Sequence, residues 1–426
     1  MRGTHRQQGN ELRKVRIEQT AKMIMDMDLE DININNEIKI LLSCSGAHIE
    51  TKRAEKINDL LHEGINWDIL LDIAKQEKML PLLYRNLTLI SPEKVPAAVM
   101  TRLRNAYLLN SSRNLLLTRE LLFIIENFNT KCIPIMPFKG PVLAEQVYGD
   151  IALRSFVDLD LLIPEREYAR AEELLQSLGY LNDLKFTPAQ NAAFLKTEHH
   201  HHFGNNKTGT SVELHWRIST SLFSLQPDLS ATWNRAGTTT VLGKKVPSFS
   251  PEDTLLVLCE HGARHQWSQL SWIYDIAGIV ETKKINLPCL IEQARQIGKE
   301  RPLLLGLLLV GDLLDTDLSD DIYWMANGDK AVKANAKQVK TDLFTRASFG
   351  RSNGHNAPER MNELDFYSNL LSRHQLFSTL LRAFTPRTKD VNIASLPDAL
   401  FPLYYIVRPL RLIKAHKKRI RKWLFK

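Results

Sequence analysis

The chain has few of the residues that would make it a disulfide-rich or low-complexity protein. Its 426 residues include four cysteines, far apart in the sequence, at Cys44, Cys132, Cys259 and Cys289. This spacing contains no CxxC pair, so we expect neither a disulfide framework nor a cysteine-based zinc module, and we expect a reducing compartment. Glycine (19) and proline (18) are too scarce for a low-complexity chain, and 44% of the residues are hydrophobic. A folded core is therefore expected.

Long apolar runs are also lacking. The longest, Pro302 to Val310, is far shorter than the roughly 18 residues that a membrane-spanning helix requires. The first residues, MRGTHRQQGNELRK, are polar and charged, without the apolar stretch of a signal peptide. These features predict a cytoplasmic protein without a transmembrane segment.

The positive charge of the chain is concentrated at one end. Lys and Arg number 56 against 48 Asp and Glu, a net charge of +8, and nine basic residues but no acidic ones lie between Arg408 and Lys426. Apolar residues recur near one face of a predicted helix in this tail, at Leu410, Ile413, Ile420 and Leu424. The tail predicts peripheral contact with an anionic membrane surface. RNA binding and a plain solvated helix are the alternatives.

Hydrophobic periodicity divides the chain into five segments. Apolar residues at helical spacing predict about four helices before residue 130 and further helices after 220. Between these two regions, stretches with the periodicity of a strand alternate with stretches that have the periodicity of a helix. The predicted segments are a variable helical extension (1–55), a helical segment (56–130), an α/β core (131–220), a C-terminal helical domain (221–400) and an apolar, then basic tail (401–426).

Within the core, the sequence predicts a small sheet. CIPIMPF and SFVDLDLLIP favour strands, and each is followed by a helical pattern. A loop is expected up to residue 198, and HHHHFGNNKTGTSVELHWRI favours a hairpin that directs Val212 and Leu214 one way. The fold class is therefore predicted to be α+β, with a small mixed β-sheet flanked by N- and C-terminal helical segments.

Three acids could form a metal site. Asp158 and Asp160 are two apart in a predicted strand, so both carboxylates lie on one face. Two carboxylates that close repel each other unless cations neutralise them, and oxygen ligands favour Mg²⁺. Glu213, on the hairpin, adds a third acid if its strand lies beside the first, which would permit a two-metal site for phosphoryl or nucleotidyl transfer. The alternative is a solvent-facing strand end with ordinary acids.

Lys139-Gly140-Pro141 marks a turn from strand to helix. Glycine permits close approach of the backbone, proline suits the first turn of a helix, and a helix N-terminus beside an ammonium group attracts phosphate. The motif favours a phosphate-binding turn, and a plain helix start with a surface lysine is the alternative.

Histidines suggest a different chemistry. His261 and His265 are four apart on a predicted helix, a spacing that can bind zinc, and the run His199 to His202 supplies more imidazoles. HGARH lacks the glutamate of a metalloprotease HExxH motif, so a structural or substrate-contacting role is favoured over a zinc hydrolase. Asp275 is interpreted as an acceptor contact, a hydrogen-bond partner of those histidines or a helix-surface acid.

The order of these motifs resembles a known family. FKGPVLAEQVYGD, Arg154, VDLDLLIP and VELHWRI follow one another as in the poorly characterised nucleotidyltransferase family of the DNA polymerase beta-like superfamily. Flanking stretches are similar as well, so the resemblance covers residues 60 to 412, including 65–87, 261–280 and 385–412.

The resemblance implies a reaction: transfer of a nucleoside monophosphate from an NTP, by default ATP, to an acceptor hydroxyl, with release of pyrophosphate. The acceptor would be a sugar, a small metabolite or a protein. Asp158 and Asp160 would bind two Mg²⁺, and Glu213 would complete the metal that activates the attacking oxygen.

The remaining site residues also follow from the resemblance. Lys139 and the backbone of Gly140 would hold the triphosphate, and Arg154 would neutralise phosphate charge. Candidate substrate contacts are His215, His261, His265 and Asp275. Where the superfamily usually has Gly-Ser, this chain has Gly140-Pro141, which keeps a noncatalytic nucleotide- or partner-binding module as the alternative function.

Overall fold

The computed structural model describes residues 35–44, 51–182, 186–218, 229–349, 363–371 and 397–412, with the single residues 375, 385 and 390. Most of the predicted N-terminal extension, and the tail from residue 413 with its predicted membrane or RNA contact, lie outside the described residues. Internal contacts divide the chain into two units: Met1–Glu120, Phe138–Val157 and Ala236–Leu370 form the first, and Leu121–Pro137, Asp158–Arg235 and Leu371–Lys426 the second. The five-segment division stays a prediction.

Helices dominate the described chain, and the strands lie between residues 136 and 248. The helices are α1 (Asn36–Ser43), α2 (Thr51–Glu63), α3 (Trp67–Gln76), α4 (Leu80–Ile90), α5 (Ala97–Thr130), α6 (Gly140–Tyr148), α7 (Tyr168–Ser177), α8 (Pro188–Thr197), α9 (Leu229–Asn234), α10 (Pro251–Arg264), α11 (Leu270–Thr282), α12 (Leu287–Gln296), α13 (Glu300–Leu314), α14 (Asp320–Gly328), α15 (Lys330–Phe349) and α16 (Glu363–Leu370). The strands are β1 (Met136–Pro137), β2 (Leu159–Leu162), β3 (His200–Asn205), β4 (Thr210–His215), β5 (Gly237–Val241) and β6 (Lys244–Ser248). Short 3₁₀ turns lie at Pro92–Lys94, Glu165–Glu167 and Asp398–Leu403.

The first unit contains the predicted N-terminal helices. Helices α2 to α5 follow one another where four were expected, and Pro81 lies in the first turn of α4, where its missing N–H costs no hydrogen bond. The Asn66 side chain accepts a hydrogen bond from the Ile69 N–H and so caps α3. The spacing of apolar residues therefore predicted the number of helices in this stretch.

The longest apolar run forms the centre of the first unit. It lies in α13, which packs against α10, α11, α12 and α15 and buries its leucines almost completely. Nearby, α11 passes close to α6: a Cβ atom on Gly278 would lie 2.3 Å from Cγ1 of Val147, so only glycine permits this approach. In the part of the chain that the structure describes, no helix has both the length and the apolar character needed to cross a membrane.

A hairpin in the first unit was not expected from the sequence. Strands β5 and β6 pair antiparallel within a region predicted to be helical. Their two-residue turn needs positive φ at both positions, 47° at Leu242 and 77° at Gly243. Leucine is an unusual residue for this conformation, so the turn lacks the Asn-Gly signature by which a hairpin is usually predicted.

The second unit contains a four-stranded mixed sheet, which confirms the predicted fold class. Its order is β1-β2-β4-β3, with β1 antiparallel to β2, β2 parallel to β4, and β4 antiparallel to β3. One face is buried and mostly apolar, with Leu159, Leu161, Val212, Leu214 and Phe203 at its centre and His201 among them. Because side chains alternate along a strand, the polar residues between them share the opposite face.

Helix α8 lies where the sequence analysis expected a loop. Thr187 accepts a hydrogen bond from the Gln190 N–H, and the Gln190 side chain accepts one from the Thr187 N–H, so the two residues form a capping box. Pro188 follows at the first helical position. Phe194 of this helix packs edge-on against Trp216, with ring centres 5.3 Å apart. The loop prediction was therefore wrong, although its capping signal is readable in the sequence.

Candidate active site

The register of three strands aligns polar residues in two rows on one face of the sheet. Asp160 of β2 pairs with Glu213 of β4, which in turn pairs with His202 of β3. In the next row His215 of β4 pairs with His200 of β3. Paired residues point to the same side of a sheet, so these strands bring the acids and imidazoles together.

The two carboxylates share one imidazole. Nε2 of His215 lies 3.2 Å from Oδ1 of Asp160 and 3.3 Å from Oε2 of Glu213. Nε2 of His200 lies 3.9 Å from the other oxygen of Glu213. Asp160 and His215 are buried, whereas Glu213 and His200 are partly exposed. The cluster is therefore anchored in the protein on one side and open to solvent on the other.

The environment keeps Glu213 ionised. Burial raises the pKa of this carboxyl, and the charge of Asp160 raises it further, but the hydrogen bond from His215 and the charges of His200 and His215 lower it. The net pKa of Glu213 lies below its usual value. The sheet thus presents an anionic oxygen at the partly exposed edge of the cluster.

These side chains fit a divalent cation. One ligand atom from each of Asp160, Glu213 and His215 lies within 4.8 Å of the others. Two carboxylates on neighbouring strands supply the oxygen donors that Mg²⁺ prefers, and His215 adds a nitrogen. Asp158 lies one residue before β2 and is half-buried; among the described residues, no group of three such ligands includes it.

Lys139 and Gly140 lie at the start of α6 in the first unit. Gly140 has a φ of 55°, a left-handed conformation that favours glycine at this turn. Lys139 is half-buried, and its Nζ lies 5.3 Å from the centre of the Phe138 ring. The turn has the strand-to-helix form that the sequence predicted, and its role in phosphate binding stays a prediction.

Arg154 and Asp275 contact each other. Nε of Arg154 lies 3.1 and 3.0 Å from the two carboxylate oxygens of Asp275, and the Tyr148 hydroxyl donates to the same carboxylate at 3.1 Å. Asp275 is completely buried. Burial raises its pKa above the usual value, although Arg154 and Tyr148 lower it. Spacing in the sequence did not predict that these two candidate substrate-binding residues contact each other.

Two asparagines of α5 hold the same loop. The Asn114 side-chain amide donates to the backbone oxygens of Ile151, at 2.5 Å, and Arg154, at 2.7 Å. The Asn110 amide donates to the oxygens of Ala152 and Arg154. Asn114 is fully buried, so these bonds satisfy carbonyl groups that water cannot reach. Sequence analysis missed both asparagines, because an amide on a predicted helix gives no local sign of its partner.

His261 and His265 form an aromatic cluster with Trp272. The two imidazole centres are 4.7 Å apart, and the Trp272 ring lies 4.8 Å from His261 and 5.7 Å from His265. Within the described residues, no third His, Cys, Asp or Glu joins these two in a metal-ligating group. The zinc-hydrolase hypothesis therefore gains no support here, and the substrate-contacting role of both histidines stays a prediction.

Comparison with protein families identifies the family of the chain. The profile of a family described as "Uncharacterised nucleotidyltransferase" matches residues 63–315, more than half of the chain. The chain belongs to this family. Its matched region contains the mixed sheet, the shared imidazole and the start of α6, so the resemblance inferred from the sequence motifs is confirmed. Family membership supports nucleotidyl transfer as the general activity.

Two solved structures match part of the chain. The lincosamide antibiotic adenylyltransferase LnuA, solved with lincomycin bound, is 15% identical, and the alignment covers 39% of this chain and 97% of LnuA with a TM-score of 0.28. An antigenic nucleotidyltransferase-like protein from Paracoccidioides brasiliensis is 17% identical over 51% of this chain and 98% of that protein, with a TM-score of 0.33. No curated protein matches the chain. At these identities neither structure indicates a substrate for this protein.

Proposed function

We propose that the protein is a Mg²⁺-dependent nucleotidyltransferase that transfers a nucleoside monophosphate from an NTP, with ATP as the first donor to test, to an acceptor hydroxyl. The observation that carries the proposal is the pairing of Asp160 with Glu213 on adjacent parallel strands, with Nε2 of His215 within 3.3 Å of both. Membership of the nucleotidyltransferase family supports the reaction class.

The carboxylates of Asp160 and Glu213 would hold the metal, and we propose Asp158 as a further ligand because it lies next to β2. A bound Mg²⁺ supplies positive charge that neutralises the triphosphate and the attacking oxygen. In a two-metal reaction the same acids would serve both ions.

His215 orients the metal-binding acids. Its Nε2 lies 3.2 and 3.3 Å from the two carboxylates, so this close contact restrains their rotation. The ring is buried, which limits its own movement. Within this proposal His215 is therefore a positioning residue, in addition to its predicted contact with substrate.

Other residues bind or position the substrates in this proposal. Lys139 and the backbone of Gly140 bind the triphosphate, as expected for a lysine at a helix start. Arg154 either contacts phosphate, as the family resemblance implies, or acts through its ion pair with Asp275. His261 and His265, beside Trp272, are proposed to contact the acceptor, which is a sugar, a small metabolite or a protein.

A thermal-shift series tests the proposal. ATP, GTP, CTP and UTP are each added with and without Mg²⁺ to wild type, to Asp160→Asn and to Asp68→Asn. Asp68 is an exposed acid on α3, so its variant makes the same chemical change away from the sheet. A ligand at about 100 times its dissociation constant stabilises the folded state by about 2.7 kcal/mol. We expect a Mg²⁺-dependent shift with one nucleotide in wild type and Asp68→Asn only.

Release of pyrophosphate separates catalysis from binding. If Asp160→Asn shifts as much as wild type, the metal site is wrongly placed, and if no nucleotide shifts any variant, the proposed donor class is wrong. A nucleotide shift without pyrophosphate release, across a panel of sugars, small metabolites and proteins, would instead support the noncatalytic module suggested by Gly140-Pro141.

A further inference from the structure

Three imidazoles meet at one end of the mixed sheet. His199 directly precedes β3, His200 begins β3, and His215 ends β4. The ring centres are 4.3 Å apart for His199 and His200, 5.0 Å for His200 and His215, and 5.7 Å for His199 and His215. The backbone oxygen of His199 accepts hydrogen bonds from the N–H groups of Trp216 and Arg217, so the end of β4 holds it in place.

The nitrogens are close to the spacing that a metal requires. One nitrogen from each of the three rings lies within 4.8 Å of the others, and Nε2 of His199 is 3.0 Å from Nδ1 of His200. With metal–nitrogen bonds of about 2.0–2.1 Å, two ligands of a tetrahedral ion are about 3.4 Å apart. Small side-chain rotations would therefore bring all three nitrogens into ligand positions.

Burial differs among the three rings in a way that suits a bound ion. His199 and His215 are 5% and 2% exposed, so packing restricts their rotation. The His200 side chain retains 31% exposure, which leaves a path for an ion and room for water as a fourth ligand. Three protein ligands and an accessible fourth position are the arrangement of an open zinc site.

His201, on the same strand, has the surroundings of a structural histidine and serves as a comparison. It lies on the opposite face, where its Nδ1 is 2.6 Å from the Tyr168 hydroxyl and its ring centre is 4.8 Å from that of Phe194. Aromatic side chains surround it. The three clustered histidines contact one another instead, and His200 and His215 also contact the carboxylate of Glu213, so their environment is that of ligands.

We propose that His199, His200 and His215 form a binding site for a transition-metal cation of the Zn²⁺ class. Imidazole nitrogen selects Zn²⁺, Co²⁺ and Ni²⁺, whereas the carboxylates of Asp160 and Glu213 suit Mg²⁺. The inference goes beyond the proposed function, because binding at the imidazoles needs neither nucleotide nor Mg²⁺. Since His215 contributes to both groups of ligands, the two kinds of ion are expected to compete.

Cobalt provides a spectroscopic test. The full chain, purified without a histidine tag and stripped of metal with a chelator, is titrated with Co²⁺ and followed by visible absorption, and Zn²⁺ is then added. We expect one equivalent of Co²⁺ with the spectrum of a nitrogen-ligated ion, displaced by one equivalent of Zn²⁺. Changes in outer-shell partners alone weaken metal sites by about 10- to 100-fold, so His200→Ala should weaken Co²⁺ binding by at least 100-fold.

His202→Ala is the matched control. His202 lies two residues further along the same face of β3, but it is exposed and its Nε2 contacts the Ser211 hydroxyl at 2.6 Å. This variant should bind Co²⁺ like wild type. Circular dichroism establishes that each variant is folded, and His200→Asn replaces His200→Ala if the alanine variant unfolds.

Three results would overturn the proposal: no saturable Co²⁺ binding by wild type, equal binding by wild type and the folded His200 variant, or equal loss in the His200 and His202 variants. Loss of Co²⁺ in Asp160→Asn with retention in His200→Ala would place the ion at the acids and overturn it as well. Because the titration contains no nucleotide, its outcome is independent of whether nucleotidyl transfer is confirmed.

Discussion

Two buried charge clusters differ in their exposure to solvent. In the first unit, one guanidinium and one tyrosine hydroxyl face a single carboxylate, that of Asp275, and the Arg154 and Asp275 side chains are 11% and 1% exposed. In the second unit, two carboxylates face the imidazole of His215, the imidazole of His200 lies 3.9 Å from Glu213, and the Glu213 side chain is 29% exposed. The first cluster is closed to solvent, whereas the second is open on one side.

The difference separates a structural role from a functional one. An acid whose oxygens are all bound by protein donors has little capacity left for a ligand, and such a group holds backbone segments together. Two neighbouring carboxylates, one of them partly exposed, can take up a cation from solvent, so such a pair is suited to ligand binding. The comparison therefore favours Arg154 as a positioning residue and Asp160 as a metal ligand.

Replacing Arg154 by methionine should give the largest loss of stability. The change leaves the buried Asp275 carboxylate without its counter-charge, and breaking a buried ion pair in this way costs about 3–5 kcal/mol. Chemical denaturation of the variant should show this fall in the free energy of unfolding. The double variant Arg154→Met with Asp275→Leu removes both charges and should recover most of it.

A different result would reverse the comparison. If Arg154→Met unfolds at the same denaturant concentration as wild type but no longer shows the nucleotide-dependent thermal shift, Arg154 binds phosphate, as the family resemblance implies. The ion pair with Asp275 would then be dispensable for folding.

Replacing Asp160 by asparagine should affect ligand binding and not folding. Asparagine keeps the shape of the side chain and removes one of two facing negative charges, so the variant without ligand should be as stable as wild type or more so. The stabilisation of about 2.7 kcal/mol expected from saturating nucleotide and Mg²⁺ should disappear. Denaturation in the presence of a chelator measures the stability of the variant without ligand. Denaturation with nucleotide and Mg²⁺ measures the stabilisation that the ligand adds. A large loss of stability in chelator would show that this cluster is structural too.

Replacing His215 by leucine tests the shared imidazole. The change removes the buried imidazole that lies 3.2 and 3.3 Å from the two carboxylates, and polar contacts with charged groups contribute about 1.5–3 kcal/mol, so we expect a loss of about 2 kcal/mol. Mg²⁺ should restore more stability to this variant than to wild type, because its charge replaces the lost contact between the acids. His202→Leu, on the same face but exposed, is the control and should change little. Equal losses in both variants would contradict the role of His215.

Local sequence patterns predicted the open cluster better than the closed one. Alternation along VELHW placed Glu213 and His215 on one face and Val212 and Leu214 on the other, and the structure has this arrangement. The pairing of Arg154 with Asp275 joins residues 121 apart in the chain. Such a contact depends on how helices pack and has no periodic signal, so spacing could not reveal it.

Turn chemistry explains the other differences. The capping box at Thr187 and Gln190 is a local signal and was available to predict α8. The hairpin of β5 and β6 turns through Leu242 and Gly243. Leu242 adopts a left-handed backbone conformation that residues other than glycine disfavour. Strand β5 packs against α6, so the hairpin depends on its contacts within the first unit more than on its own sequence.

The smallest expected effect comes from removing one hydroxyl of the closed cluster. Tyr148→Phe deletes the bond to Oδ1 of Asp275 but keeps Arg154 as a partner, so the free energy of unfolding should fall by about 1–1.5 kcal/mol. Tyr323→Phe is the matched control, because its hydroxyl donates to Asp312 at 2.9 Å from a partly exposed position. Water can replace that bond, and we expect a smaller loss. Nucleotide-dependent shifts should be unchanged in both variants. If Tyr148→Phe abolished the shift while costing no stability, the closed cluster would contribute to substrate binding, and exposure to solvent would not distinguish the roles of the two clusters.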